Sequence, residues 1–182
     1  MQLKSITAIV ALLLVVASLL VAGCTSNNTN NTNQSPTPST ATHDAFLENY
    51  LAGIKNVSYA DKGLSYKAWE VTWINNTSAR LEDTSLNKTT NTTVNEVATF
   101  TIFPTAQDAT NYLNTLNKTA YSLASTDASS AKGYQNVTGH APQVYKAYQW
   151  NEGNPLNLSE FKVHAIIQYD NIVKIATGKI LS

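Results

Sequence analysis

The sequence predicts an α+β fold for one domain, residues 44–182: an antiparallel sheet of about five strands with two helices packed on one face, in the order α-β-β-α-β-β-β. Three observations predict it. Asp44 to Lys55 and Thr105 to Leu116 carry apolar residues at i, i+3 and i+4, the repeat of a helix with one buried side. Segments 65–75, 93–103 and 161–169 alternate apolar and polar residues, the repeat of a half-buried strand. The strands come in runs instead of alternating with helices, which favours antiparallel pairing over parallel crossovers.

In the first helix Asp44 is the cap, and Phe46, Leu47, Tyr50, Leu51 and Ile54 form the stripe. A turn at Asp61-Lys62-Gly63 leads to the first strand, with Trp69, Val71 and Trp73 on the core side and Ala68, Glu70 and Thr72 on the other. Asn75-Asn76-Thr77-Ser78 breaks it, and the polar stretch to Asn91 reads as a long hairpin loop in which Glu82-Asp83 is a solvated charge pair. The second strand turns Val94, Ala98, Phe100 and Ile102 inward and stops at Pro104. Thr105 then caps the second helix with Asp108 three residues on, over a stripe of Ala106, Ala109, Tyr112, Leu113 and Leu116. The Ser/Ala-rich stretch to Lys132 reads as frayed helix or loop, and 134–138 as a short extended piece. Strands follow at 144–150, 161–169 and 172–180, the last two joined by a turn at Asp170-Asn171. The tetrapeptide Tyr66-Lys67-Ala68-Trp69 is echoed by Tyr145-Lys146-Ala147-Tyr148, each at the opening of a strand.

Ahead of the domain stands an export leader. Lys4 precedes an apolar stretch from Ile6 to Val21, 16 residues interrupted only by Thr7 and Ser18. A bilayer span needs about 20 residues, so 1–23 reads as a signal peptide, with an uncleaved membrane anchor ending in a free thiol as the alternative. Val21-Ala22-Gly23-Cys24 has the form of a lipobox, which makes Cys24 the expected lipidation site and the first residue of the mature chain. One acyl chain binds a membrane weakly, so stable anchoring calls for a second lipid or another membrane contact. Cys24 is the sole cysteine, which excludes an internal disulfide and a cysteine-based zinc cluster. Residues 24–43 are the lipidated cysteine and a tether, an Asn/Thr/Ser/Pro segment with too little apolar surface to offset its conformational entropy.

Lys plus Arg and Asp plus Glu both total 12, and loss of Lys4 with the leader leaves 11 against 12, a net −1. No basic face points to nucleic acid, and no basic cluster points to anionic lipid. Charged residues make up 13% of the chain, about half the usual share, and 20 Asn and 23 Thr take their place. Sequons Asn-x-Ser/Thr fall at Asn56, Asn75, Asn76, Asn87, Asn91, Asn117, Asn136 and Asn157 in the domain, with three more in the tether, making the protein a candidate N-glycoprotein. Lipobox, Asn/Thr-rich tether and sequon density together resemble secreted lipoproteins of methanogenic archaea. The likeness implies attachment to the extracytoplasmic side of the cell membrane, and it implies no catalytic or ligand-binding residues.

No phosphate-binding glycine loop and no nucleophile elbow is present. The three histidines lack the paired spacing of a metal site, so neither metal nor cofactor is expected. The outer sheet face is expected to carry Glu70, Thr72, Thr99, Thr101, Tyr145, Gln149, His164 and Gln168, with Glu70, His164, Thr99 and Tyr145 as its candidate polar site. Trp69 and Trp73 share their side with Val71, the company of core residues rather than of a sugar platform. The expected function is that of a membrane-anchored, non-enzymatic binding, adhesive or accessory domain. The alternatives are an envelope hydrolase using Glu70 or His164, and a subunit of a membrane complex.

Overall fold

A computed structural model describes residues 43–56, 64–87 and 90–181; the leader, Cys24, the tether before His43 and the turn at 61–63 lie outside the described residues. In chain order come α1 (Ala45–Asn56), β1 (Leu64–Asn75), β2 (Ser78–Asn87), β3 (Thr92–Ile102), α2 (Ala106–Thr115), β4 (Ser122–Ser125), a 3₁₀ turn (Ala128–Ser130), α3 (Lys132–Thr138), β5 (Tyr145–Glu152), β6 (Lys162–Tyr169) and β7 (Ile172–Ile180). The strands form one antiparallel sheet in the order β1-β2-β3-β7-β6-β5-β4. No helix among the described residues is long and apolar enough to cross a membrane.

The α+β class holds, and both predicted caps form: Asp44 Oδ1 accepts from Leu47 N at 2.9 Å, and Thr105 Oγ1 accepts from Asp108 N at 3.1 Å. Three expectations are corrected. The stretch after Ser78 is β2, not a hairpin loop, and it turns Ala79, Leu81, Asp83 and Ser85 inward. Residues 132–138 are α3, not an extended piece. The helices also divide between the faces: α1 and α3 cover the inner face, whereas α2 lays Ala109 and Leu113 on Ile166 and Val173 of the outer one. The run Ala165-Ile166-Ile167 is buried at every position, the mark of a strand covered on both sides. Gln168 is therefore not on an open face; it is fully buried under α2, where its amide donates to Ala106 O at 3.0 Å and Asp170 O at 2.9 Å.

The inner core joins Leu47, Tyr50, Leu51 and Ile54 of α1 and Tyr134 of α3 to Leu81, Phe100, Ile167 and Ile172 of the sheet. Helices α1 and α3 meet at Gly53, where a Cβ would come within 2.5 Å of Val137 Cγ1. Each of these helices immediately precedes a three-strand run, β1-β2-β3 or β5-β6-β7, and β3 lies beside β7 at the centre. A two-fold axis normal to the sheet, passing between the paired Ala98 and Ala176, relates the halves. It carries the row Tyr66, Ser85, Val94, Ile180 onto Tyr145, Tyr169, Ile172, Ile102. The sequence echo thus begins at register-equivalent tyrosines, which supports an internal repeat with α2 and β4 inserted between its halves. A bulge at Lys67 shifts the parity afterwards, so Trp69 faces inward and Tyr148 outward.

Candidate functional site

Among the described residues the buried charged side chains are Asp83, Glu96 and Lys174, and all three lie on the inner face. Asp83 of β2 and Glu96 of β3 are cross-strand partners, placing their Cβ atoms about 5 Å apart. Lys174 of β7 pairs in register with Phe100, four residues along β3 from Glu96, yet its Nζ reaches Glu96 Oε1 at 2.5 Å. The two side chains therefore lean toward each other across the small Ala98–Ala176 pair on the axis. Lys174 Nζ also lies 5.4 Å from the centre of the Phe100 ring.

One ammonium thus faces two carboxyls. Burial, reinforced by the charge of Glu96 and only partly opposed by Lys174, pushes the Asp83 carboxyl up to about 7. The next inward residue of β2, Ser85, is 1% exposed, and its hydroxyl has no hydrogen-bond partner. At the far end of the core, burial raises the Tyr169 phenol well above its usual value, followed by the effects of Tyr50, Tyr145 and Glu96.

On its β1 side Asp83 pairs with Trp69, and Trp69 lines an open groove of about 310 Å³ between α1 and β1. Leu51, Val71 and Trp73 complete the apolar wall, with the exposed Glu48 and Lys55 at the rim. Trp69, Val71 and Trp73 are half-buried, so they serve the core as predicted and present one side to the groove. His43 stacks on Trp73 at 4.1 Å and 4°, and Asp44 N donates to Asn76 O at 2.7 Å, so the chain enters the domain at one end of the groove.

The expected polar-face set does not assemble. Three strands separate Glu70 on β1 from His164 on β6, about 19 Å at the usual strand spacing, so these two cannot exchange a proton. Thr99, half-buried on β3, has β7 between it and His164. Tyr145 and Gln149 are on the inner face and buried. The β5 run YKAYQW has aromatic residues at both parities, so alternation alone could not orient it. His164 instead bonds Glu152 Oε2 through Nε2 and Thr177 Oγ1 through Nδ1, each at 2.9 Å, and stacks on Trp150 at 4.4 Å. Hydrogen bonds from His164, then Lys162, hold the Glu152 carboxyl below its usual value. No group of three or more His, Cys, Asp or Glu among the described residues is placed to hold a metal ion.

Asp83, Ser85, Glu96 and Lys174 were the residues missed. For Glu96 and Lys174 the signal was parity: Glu96 sits between Val94 and Ala98, and Lys174 between Ile172 and Ala176, all at inward positions.

The sequons concentrate at turns and at the ends of elements. Asn75, Asn76, Asn91, Asn117 and Asn157 are exposed, and Asn56 and Asn87 close α1 and β2. In Asn75, Asn117 and Asn157 the amide oxygen accepts the hydroxyl of the sequon's own Thr or Ser at 3.2, 2.8 and 2.8 Å. The Asn136 amide nitrogen, by contrast, is buried and unbonded, although a glycan must be attached to that atom. Glycopeptide mapping of the native protein is expected to find Asn136 unmodified while exposed sequons are occupied; full occupancy at Asn136 would contradict its packing. No family model, curated protein or solved structure matches the chain.

Proposed function

We propose that the chain is a lipoprotein held at the extracytoplasmic side of the cell membrane through Cys24, with a non-enzymatic domain that binds its ligand in the groove between α1 and β1. The observation that carries the reading is the groove itself: a concave apolar site with two half-buried tryptophans, one of which, Trp69, is the cross-strand partner of the buried Asp83. Support for the anchor comes from the leader and lipobox of the sequence. Mass spectrometry of the native amino terminus is expected to find a lipid-modified Cys24, and Cys24→Ser to move the protein out of the membrane fraction. A native chain starting at Met1, or an unmodified Cys24 in protein free of vesicles, would rule the anchor out.

The hydrolase alternative has one structural foothold, the Glu152–His164–Thr177 chain of hydrogen bonds. Thr177, however, lies mid-strand between β3 and β6, where backbone N–H groups serve the ladder and offer no pair of donors to a developing oxyanion. The binding reading is the better supported.

A further inference from the structure

We propose that the ligand of this groove carries a protonated primary amine, which passes the Trp69 ring and is received by Asp83, with the Ser85 hydroxyl as a second acceptor. The inference rests on the groove being the binding site and deepens it by naming the ligand's chemistry.

Two independent observations carry it. The first is charge: Lys174 is committed to Glu96, so the Asp83 carboxylate beside them faces an excess of negative charge away from water. A buried charge is stable only when paired or neutralised, and once Asp83 ionises a small cation beside it would restore the balance that its proton otherwise supplies. The second is the Ser85 hydroxyl, which points to the same face as Asp83 from the next inward position and has no partner, although buried hydroxyls are seldom left unbonded. A primary ammonium has three N–H donors, enough for a carboxylate oxygen and a hydroxyl oxygen together. Trp69, the cross-strand partner of Asp83, stands between this pair and the groove, and an aromatic ring beside a carboxylate is suited to a cation arriving from an apolar cleft. The rest of the ligand, apolar and the size of a small ring, would lie against Leu51, Val71 and Trp73.

Protons and the amine compete for Asp83, so recognition is linked to pH. Asp83, raised to about 7 by burial and then by Glu96, is mostly ionised at pH 8 and mostly protonated at pH 5.5. The other titratable or charged groups facing this region are Glu96 and Lys174 on the sheet, Tyr50 on α1, Tyr169 on β6, Glu48 and Lys55 at the rim, and His43 on Trp73. His43, whose ring stacks on Trp73 at the groove, is replaced as a control.

The experiment compares cyclohexylmethylamine with its near-isostere cyclohexylmethanol by isothermal titration calorimetry on the full chain in detergent. At pH 8 the amine is expected to bind at least about ten-fold more tightly, as befits a charge-assisted bond to a buried carboxylate. The preference should vanish in Asp83→Asn, weaken in Ser85→Ala, and vanish in the unmodified protein at pH 5.5, with His43→Gln keeping that pH dependence. Equal binding of amine and alcohol at pH 8 would leave the groove reading standing and overturn the amine. Binding of neither would overturn both, and a preference that survives Asp83→Asn would place the cation elsewhere and sink the assignment. The pH arm uses the unmodified chain, so the inference stays testable whatever the variants do to folding.

Discussion

Lys174→Met is expected to lower the free energy of unfolding by about 3–5 kcal/mol, the usual cost of removing one partner from a buried ion pair. Lys174 and Glu96 are both less than a tenth exposed and bridge the centre of the sheet over Ala98 and Ala176. Without the ammonium, Glu96 and Asp83 stand side by side with no positive charge between the strands. Methionine keeps the length and apolar bulk of the stem, so the loss reports the charge rather than a cavity. Urea denaturation of the single variant and of Lys174→Met combined with Glu96→Gln provides the check. The double variant is expected to recover much of the loss, since neither charge is then buried alone. Strictly additive losses would mean that the pair contributes nothing as a pair.

Raising the pH from about 4 to 8 is expected to destabilise the protein through Asp83. The carboxyl sits at about 7 in the folded chain against its ordinary 3.8, so the folded state holds the proton more tightly than the unfolded state. Its contribution to stability is complete below the unfolded value and is lost as the pH climbs through the folded one. A shift of this size corresponds to an order-of-magnitude ceiling of about 4 kcal/mol. Asp83→Asn lacks a titrating group at this position, so its stability should be flatter across the window and exceed that of the unmodified protein at pH 8. Parallel pH curves for the two proteins, measured by denaturation at fixed ionic strength, would show that Asp83 ionises as freely folded as unfolded.

Both predictions concern residues that local pattern placed badly. The stretch 78–87 looked like loop because two of its four inward positions are Asp83 and Ser85, which erases the apolar alternation that marks a strand. The polar character that makes the site is what hid the strand carrying it. Glu96 and Lys174 lay within recognised strands, at positions whose parity alone put them inside. Their meeting could not be foreseen, since 78 residues separate them and only the pairing of β3 with β7 brings them together.

The sequence by itself determined the local structure, namely an α+β domain, the two capped helices and the inward sets of β3 and β6, and it supplies the apolar leader and Val21–Cys24 motif on which the proposed address rests. These follow from short-range causes, since a cap, an alternation or a leader lies within about twenty residues. Tertiary structure alone decided which strands are neighbours, and hence that Glu70 and His164 stand far apart while Asp83, Glu96 and Lys174 converge. It also decided that α2 takes the outer face, which buries Gln168. Strand order and the side on which a helix packs depend on how the whole sheet covers its apolar surface, a constraint that acts between segments distant in the chain.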